Sequence, residues 1–136
     1  MKIKYRAGYK YQLVETYTTL VAVQPEGFVL TPFIRLDIDG RLSILAGYAW
    51  DGPSGPAIDT MNFMRGSLVH DALYQLMRDD HVDRDKWRVI ADEELRRICI
   101  EDGMSRLRAW WVYQGVRFGG GPSTTSAGWN PTLEAP

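Results

Sequence analysis

Two periodicities divide this chain near its middle. Over residues 34–44 Ile34, Leu36 and Ile38 alternate with Arg35, Asp37 and Asp39, and Leu42 and Ile44 resume the pattern after an Asp39-Gly40 step. Alternation of period two sends one side of a strand into a core. An Asp-Gly step between two such runs predicts a β-hairpin closed by a type I′ turn, with positive φ at both central residues. Upstream, residues 9–23 are rich in Tyr, Thr, Val and Leu, which suit a pleated surface, and Gln24-Pro25-Glu26-Gly27 reads as a turn. The apolar face of the hairpin has to be covered, most economically by helices later in the chain.

Residues 47–56 bring Gly and Pro close together and read as a loop, after which the period becomes helical. Met61, Met64, Leu68, Ala72 and Leu76, widened by Val69 and Leu73, predict a first helix from Thr60 or Met61 to about Arg78. Asp79-Asp80-His81 ends it, and Asp83 or Asp85 can cap a second helix that turns Trp87, Ile90, Ala91, Leu95 and Ile98 inward and stops at Gly103. Ser105 can cap a third, to Phe118, which buries some of Leu107, Trp110, Trp111, Tyr113 and Val116. Trp110 and Trp111 are adjacent and cannot point the same way, so one of them faces a partner or a loop. The expectation is an α+β domain over residues 1–118, with N-terminal antiparallel strands and hairpins packed on three C-terminal helices. An extended Gly/Pro/Ser-rich tail follows over residues 119–136, with Trp129 and Leu133 as anchors against the domain or a neighbouring subunit.

Composition narrows the function classes. With 136 residues, 45% hydrophobic and 24% charged, the chain can bury one core. A net charge of −1 gives no field to hold a polyanion, which argues against general nucleic-acid binding. The single cysteine, Cys99, excludes an intrachain disulfide and reads as a small buried hydrophobe. No run of apolar residues is long enough for an integral membrane segment. The charged N-terminus lacks the apolar stretch of a signal peptide, so the expected place of synthesis and folding is the cytoplasm.

Candidate chemistry gathers in residues 50–74. His70 and Tyr74 lie four apart on one side of the first helix, with Asp71 about a quarter-turn away. A partly buried imidazole needs a partner, and Asp92 on the next, antiparallel helix is the best placed, as in general-base dyads. His70, Asp92 and Tyr74 are therefore the catalytic candidates. Asp71 with Asp51 or Asp59, and the loop carbonyls of residues 52–55, would make an oxygen-rich pocket suited to calcium. Trp50, Gly52, Ser54, Gly55 and Trp129 are candidate binding residues. A structural reading stands beside this: His70 and Asp71 can simply hold loop groups while Tyr74 packs beneath them. Zinc is disfavoured, because Cys99 and His81 show no paired spacing with His70. Ser54 sits in no nucleophile elbow, and the Gly52-Pro53-Ser54-Gly55 stretch lacks phosphate-loop donors.

Four stretches, Asp51-Gly52-Pro53-Ser54-Gly55-Pro56, His70-Asp71-Ala72-Leu73-Tyr74, Arg88-Val89-Ile90-Ala91-Asp92 and Tyr113-Gln114-Gly115-Val116-Arg117-Phe118-Gly119-Gly120, resemble in kind and order a phage-related domain-of-unknown-function family of tailed phages and prophages. The resemblance covers most of residues 47–120. It implies a phage or prophage origin and supplies no established activity; the expectation set beside it is an accessory component of the virion or tail, made in the host bacterial cytoplasm and incorporated into the particle. Its partners would be other phage proteins, or further copies reached through the C-terminal tail. A second, local resemblance is to the His-Asp-x-x-Tyr helix of secreted phospholipases A2. By that likeness His70 would activate water, Asp92 would orient it and Asp71 would bind calcium. The corresponding activity would be metal-assisted hydrolysis of host envelope lipid or cell wall.

Overall fold

The computed structural model describes residues 3–6, 11–50 and 61–124. Among these residues seven short strands precede three helices: β1 Tyr5–Arg6, β2 Tyr11–Leu13, β3 Tyr17–Leu20, β4 Val29–Leu30, β5 Ile34–Leu36, β6 Arg41–Ile44 and β7 Ala49–Trp50, then α1 Met61–Arg78, α2 Arg84–Glu101 and α3 Arg106–Gly119. A 3-10 turn, Gly121–Thr124, follows. The architecture is α+β. The strands form two antiparallel sheets, one ordered β1-β2-β7 and the other β3-β6-β5-β4. Residues 49–50, expected in a loop, form β7. Trp50 pairs with Tyr11 and Ala49 with Gln12, a partnership between residues nearly forty apart that local periodicity does not reveal.

The expected hairpin joins β5 to β6 in the register Ile34↔Ile44 and Leu36↔Leu42. Its turn is not type I′, because among the described residues only Asp80 has positive φ outside glycine. Instead Asp37 accepts from the Gly40 N–H at 3.0 Å and donates its own N–H to the Arg41 carbonyl at 2.9 Å. That leaves a three-residue connection with the left-handed residue, Gly40, at its end. Ile38 falls in this connection and is exposed rather than inward-facing. Gly40 has φ +91°, and a Cβ there would lie 2.2 Å from the carbonyl oxygen of Val21, whose N–H the Gly40 carbonyl receives at 2.8 Å.

The inner side of the larger sheet contributes Tyr17, Ile34, Leu36, Leu42 and Ile44 to the main core, which α1 completes with Leu68, Val69, Ala72, Leu73, Leu76 and Met77. The α1 helix is buried on more sides than a single stripe implies, since Arg65, Ser67 and His70 are buried with the stripe while Met61 is 82% exposed. A second cluster, Phe63, Leu95, Cys99, Met104 and Ala109, joins α1 and α2 to α3. Burial pushes the Cys99 thiol up to about 12, so it is an inert core residue.

Helix ends follow local chemistry. Asp80, at φ 60°, ends α1 in a Schellman motif, with the His81 N–H on the Leu76 carbonyl and the Asp80 N–H on the Met77 carbonyl. Asp83 caps α2 by accepting from the Asp85 N–H, and Ser105 caps α3 by accepting from Arg108. Gly103, at φ +105°, repeats the Schellman closure after α2, with the Met104 N–H on the Cys99 carbonyl.

Side chains tie the strands to the helices. The Trp50 indole N–H donates to Ser67 Oγ at 3.1 Å, and the Tyr48 hydroxyl donates to Gln75 Oε1 at 3.1 Å. Arg65, 3% exposed, donates to the Tyr17 hydroxyl at 2.7 Å, to both oxygens of Asp102 and to Glu101. Burial opposes its charge, but the bonds to Asp102, Tyr17 and Glu101 outweigh that and hold its proton more tightly than usual.

Gly40 and Gly103 separate two costs of a side chain. Gly40→Ala combines left-handed strain with a clash against fixed backbone, and is expected to lose about 3 kcal/mol in urea unfolding. Gly103→Ala meets open space and should lose only about 1 kcal/mol, the strain alone. Equal losses at the two positions would overturn the assigned contact with Val21.

Candidate functional site

The residue around which the candidate site is built is Asp92. It lies in the middle of α2, with 0% exposure, and receives hydrogen bonds from α1 and α3. From α1, His70 Nε2 lies 2.7 Å from Oδ1, and the Tyr74 hydroxyl donates to the same oxygen at 2.5 Å. From α3, Arg117 Nη1 donates to Oδ2 at 2.7 Å. Arg88, one turn before Asp92 on α2, stands 3.9 Å from Oδ2 and donates from Nε to the Tyr74 oxygen at 3.3 Å. Its Nη2 reaches the carbonyls of Val116 and Arg117, both at 2.9 Å, so it also caps the end of α3.

The spacing explains the convergence. His70 and Tyr74 are four apart on α1 and so lie one above the other, their rings 4.0 Å apart at 42°. A single carboxylate oxygen on the neighbouring helix can therefore meet both. Gly120, just past α3, closes the arrangement: a Cβ there would lie 2.8 Å from the Tyr74 hydroxyl and 2.6 Å from the Val116 carbonyl.

Electrostatics fix the protonation of the group. Burial opposes the charge on Asp92, but the bonds from His70, Tyr74 and Arg117 outweigh it and hold its carboxyl below the ordinary 3.8. An ionised carboxylate only accepts, so His70 presents its Nε2–H to Asp92. Burial and the Asp92 carboxylate push the Tyr74 phenol above its ordinary range, so it remains a donor. Arg117 is held charged by the same carboxylate.

The structure thus brings His70, Asp92 and Tyr74 together. Asp71 is half-buried beside His70 and has a partner of its own. Trp50 is 2% exposed, its ring 5.6 Å from that of Tyr11 and its N–H on Ser67. Asp51, Gly52, Ser54, Gly55, Asp59 and Trp129 lie outside the described residues. Among the described residues no three His, Cys, Asp or Glu side chains gather as metal ligands. Arg88, Arg117 and Gly120 were visible in the sequence only as motif positions without a role. The one local signal was the four-residue spacing of Arg88 and Asp92, a helical ion-pair distance.

No protein family, curated protein or solved structure that was compared with the chain matches it.

Stability should depend on the charge of Asp92. Its folded-state pKa is depressed, so the stability that its ionised form contributes is fully present above the unfolded value, and is lost as pH falls through the lower folded value. Asp92→Asn removes the charge and leaves Arg117 without its buried partner, with an expected loss of about 3 kcal/mol at neutral pH. In chemical unfolding followed against pH, the gap between wild type and variant should narrow once the pH drops below about 4, where an ordinary carboxyl titrates. A gap that widens with acid would reverse the assigned sign.

Proposed function

We propose that the chain is a phage- or prophage-encoded accessory protein of the virion or tail that works through its surfaces, with the Asp92 cluster as the clamp that fixes its three helices. The observation that carries this reading is the saturation of Asp92. With no exposure and strong donors on both oxygens, the carboxylate is committed to holding α1, α2 and α3 together. Six of the positions from which the phage resemblance was drawn, His70, Tyr74, Arg88, Asp92, Arg117 and Gly120, meet at this one point, which supports treating them as a single structural unit. The partners in this reading are other phage proteins or further copies of the chain, met through the C-terminal segment.

One observation favours a second reading, a calcium-assisted hydrolase acting on host envelope lipid or cell wall. His70 gives its Nε2–H to a carboxylate that also accepts from the Tyr74 hydroxyl. That is the layout of a water-activating dyad. Two features weigh against it: His70 is only 6% exposed, and Arg117 already neutralises much of the charge that would stabilise an imidazolium.

Calcium titration calorimetry on wild type and Asp71→Asn, with thermal melts and assays on lipid and peptidoglycan, separates the two. The clamp reading expects no calcium binding and no turnover, with His70→Gln melting lower by several degrees. Calcium binding that is lost in a folded Asp71→Asn, together with turnover lost in His70→Gln, would replace it with the hydrolase.

A further inference from the structure

After α3 the chain turns back over the helices that hold Asp92. The Gly120 N–H closes the last turn of α3 on the Val116 carbonyl at 2.9 Å, and the 3-10 turn Gly121–Thr124 then packs against α1 as well as α3. Three close approaches trace its course. A Cβ on Gly120 would lie 2.8 Å from the Tyr74 hydroxyl and 3.1 Å from Tyr74 Cε2, and one on Gly121 would lie 3.5 Å from Arg88 Nη1. Thr124, 2% exposed, accepts at its carbonyl from Arg84 Nε at 2.8 Å, and Arg84 Nη2 reaches the Met77 carbonyl at 3.3 Å. The segment therefore runs along the seam between α1 and α2, from Tyr74 and Arg88 to Met77 and Arg84, a path of about one turn on each helix.

This strap covers a strongly bonded cluster but is itself held lightly. Residues 119–121 are three glycines, and a Cβ at Gly119 would meet nothing within 4 Å, so the start of the strap has no side chain to fix it and is free to turn. The helix that it leaves gives little purchase: of α3 only Ala109 is fully buried, while Leu107, Trp111 and Phe118 face outward at 68%, 63% and 88% exposure. At the far end the Thr124 hydroxyl bonds within the strap, to the Gly121 carbonyl at 2.7 Å. Among the described residues Arg84 is the one side chain that ties the strap to the helices by a hydrogen bond, and it is 33% exposed. Its pair with Asp80 lies in solvent, at 74% exposure of the carboxylate, and adds little. A short cover with a glycine run at one end and a single cation at the other belongs to the part of a fold that opens first.

We infer that residues 120–124 are a hinged strap latched by Arg84, whose lifting opens the Tyr74 side of the Asp92 cluster to solvent while the three helices stay packed. The inference goes beyond the clamp and hydrolase readings, because it concerns access to the cluster and not its use. Where the clamp reading holds, a partner that draws on residues 125–136 would pull directly on Thr124 and so on the latch. Tetranitromethane nitrates tyrosine at the ring carbons beside the hydroxyl, and one of these is the Cε2 that Gly120 covers. The full chain is treated at mildly alkaline pH and mapped by mass spectrometry, with Tyr17 and Tyr48, buried elsewhere in the core, as internal references. Arg84→Gln and, independently, Thr124→Lys, which sets a charge where none can stay buried, should each raise nitration of Tyr74 about tenfold over wild type, with Tyr17 and Tyr48 unchanged. Asp80→Asn removes the exposed partner of Arg84, leaves the latch in place and should match wild type. Slow nitration of Tyr74 in both opening variants overturns the inference. So does a rise of all three tyrosines together, which would make the strap part of the global fold. A rise in Asp80→Asn as large as in Arg84→Gln overturns it as well, by placing the effect at the end of α1.

Discussion

A carboxylate without access to water must find its solvation inside the protein, and Asp92 finds it on both helices beside its own. Leaving any of its donors unmade would strand a buried charge at a cost of several kcal/mol, so the positions of α1 and α3 about α2 are set by this one side chain. Apolar packing alone tolerates sliding and rotation of helices. Three charge-assisted or short hydrogen bonds with fixed directions do not. The register of Tyr74 against Asp92, the cap that Arg88 places on α3 and the room left by Gly120 all follow from that anchoring.

Arg65 plays the complementary part five residues earlier on α1. It is a buried cation whose partners are the last turn of α2, at Glu101 and Asp102, and Tyr17 of β3. The central helix therefore carries one polar junction toward the sheet and another toward α3, with the second apolar cluster between α1, α2 and α3. Arg65 and Asp92, at the centres of the two junctions, are both buried, so both act on geometry, fixing which helix faces which, more than on the total of favourable contacts.

What could be read in the sequence and what could not divide along the range of the interactions. The caps at Asp83 and Ser105, the stop at Gly103 and both ends of α1 act within a few residues, and the structure places them where local chemistry does. The His70–Asp92 contact was also legible, because two consecutive antiparallel helices leave few alternatives. β7 was missed because its partner lies far back in the chain, and the turn at Gly40 because an Asp-Gly step fits a three-residue connection as well as a two-residue one. Arg117 was missed because its role needs the position of the third helix, and the outward face of α3 because aromatic residues at helical spacing read as core until the packing is known.

The four-stranded sheet draws on nothing outside residues 17–44, whereas its tie to the helices through Tyr17 and Arg65 waits for Asp102. On the ribosome those intervening sixty or so residues take roughly 3–12 s to make. For the first part of that interval, until α1 is complete at Arg78, Ile34, Leu36, Leu42 and Ile44 present a bare apolar face with two open edges. Arg35 and Arg41, exposed on the other side of the same strands, are the charges that discourage such a sheet from stacking on its neighbours while it waits. Their worth to the protein is then paid out during synthesis, in the yield of folded chains, and is invisible in the stability of the finished molecule.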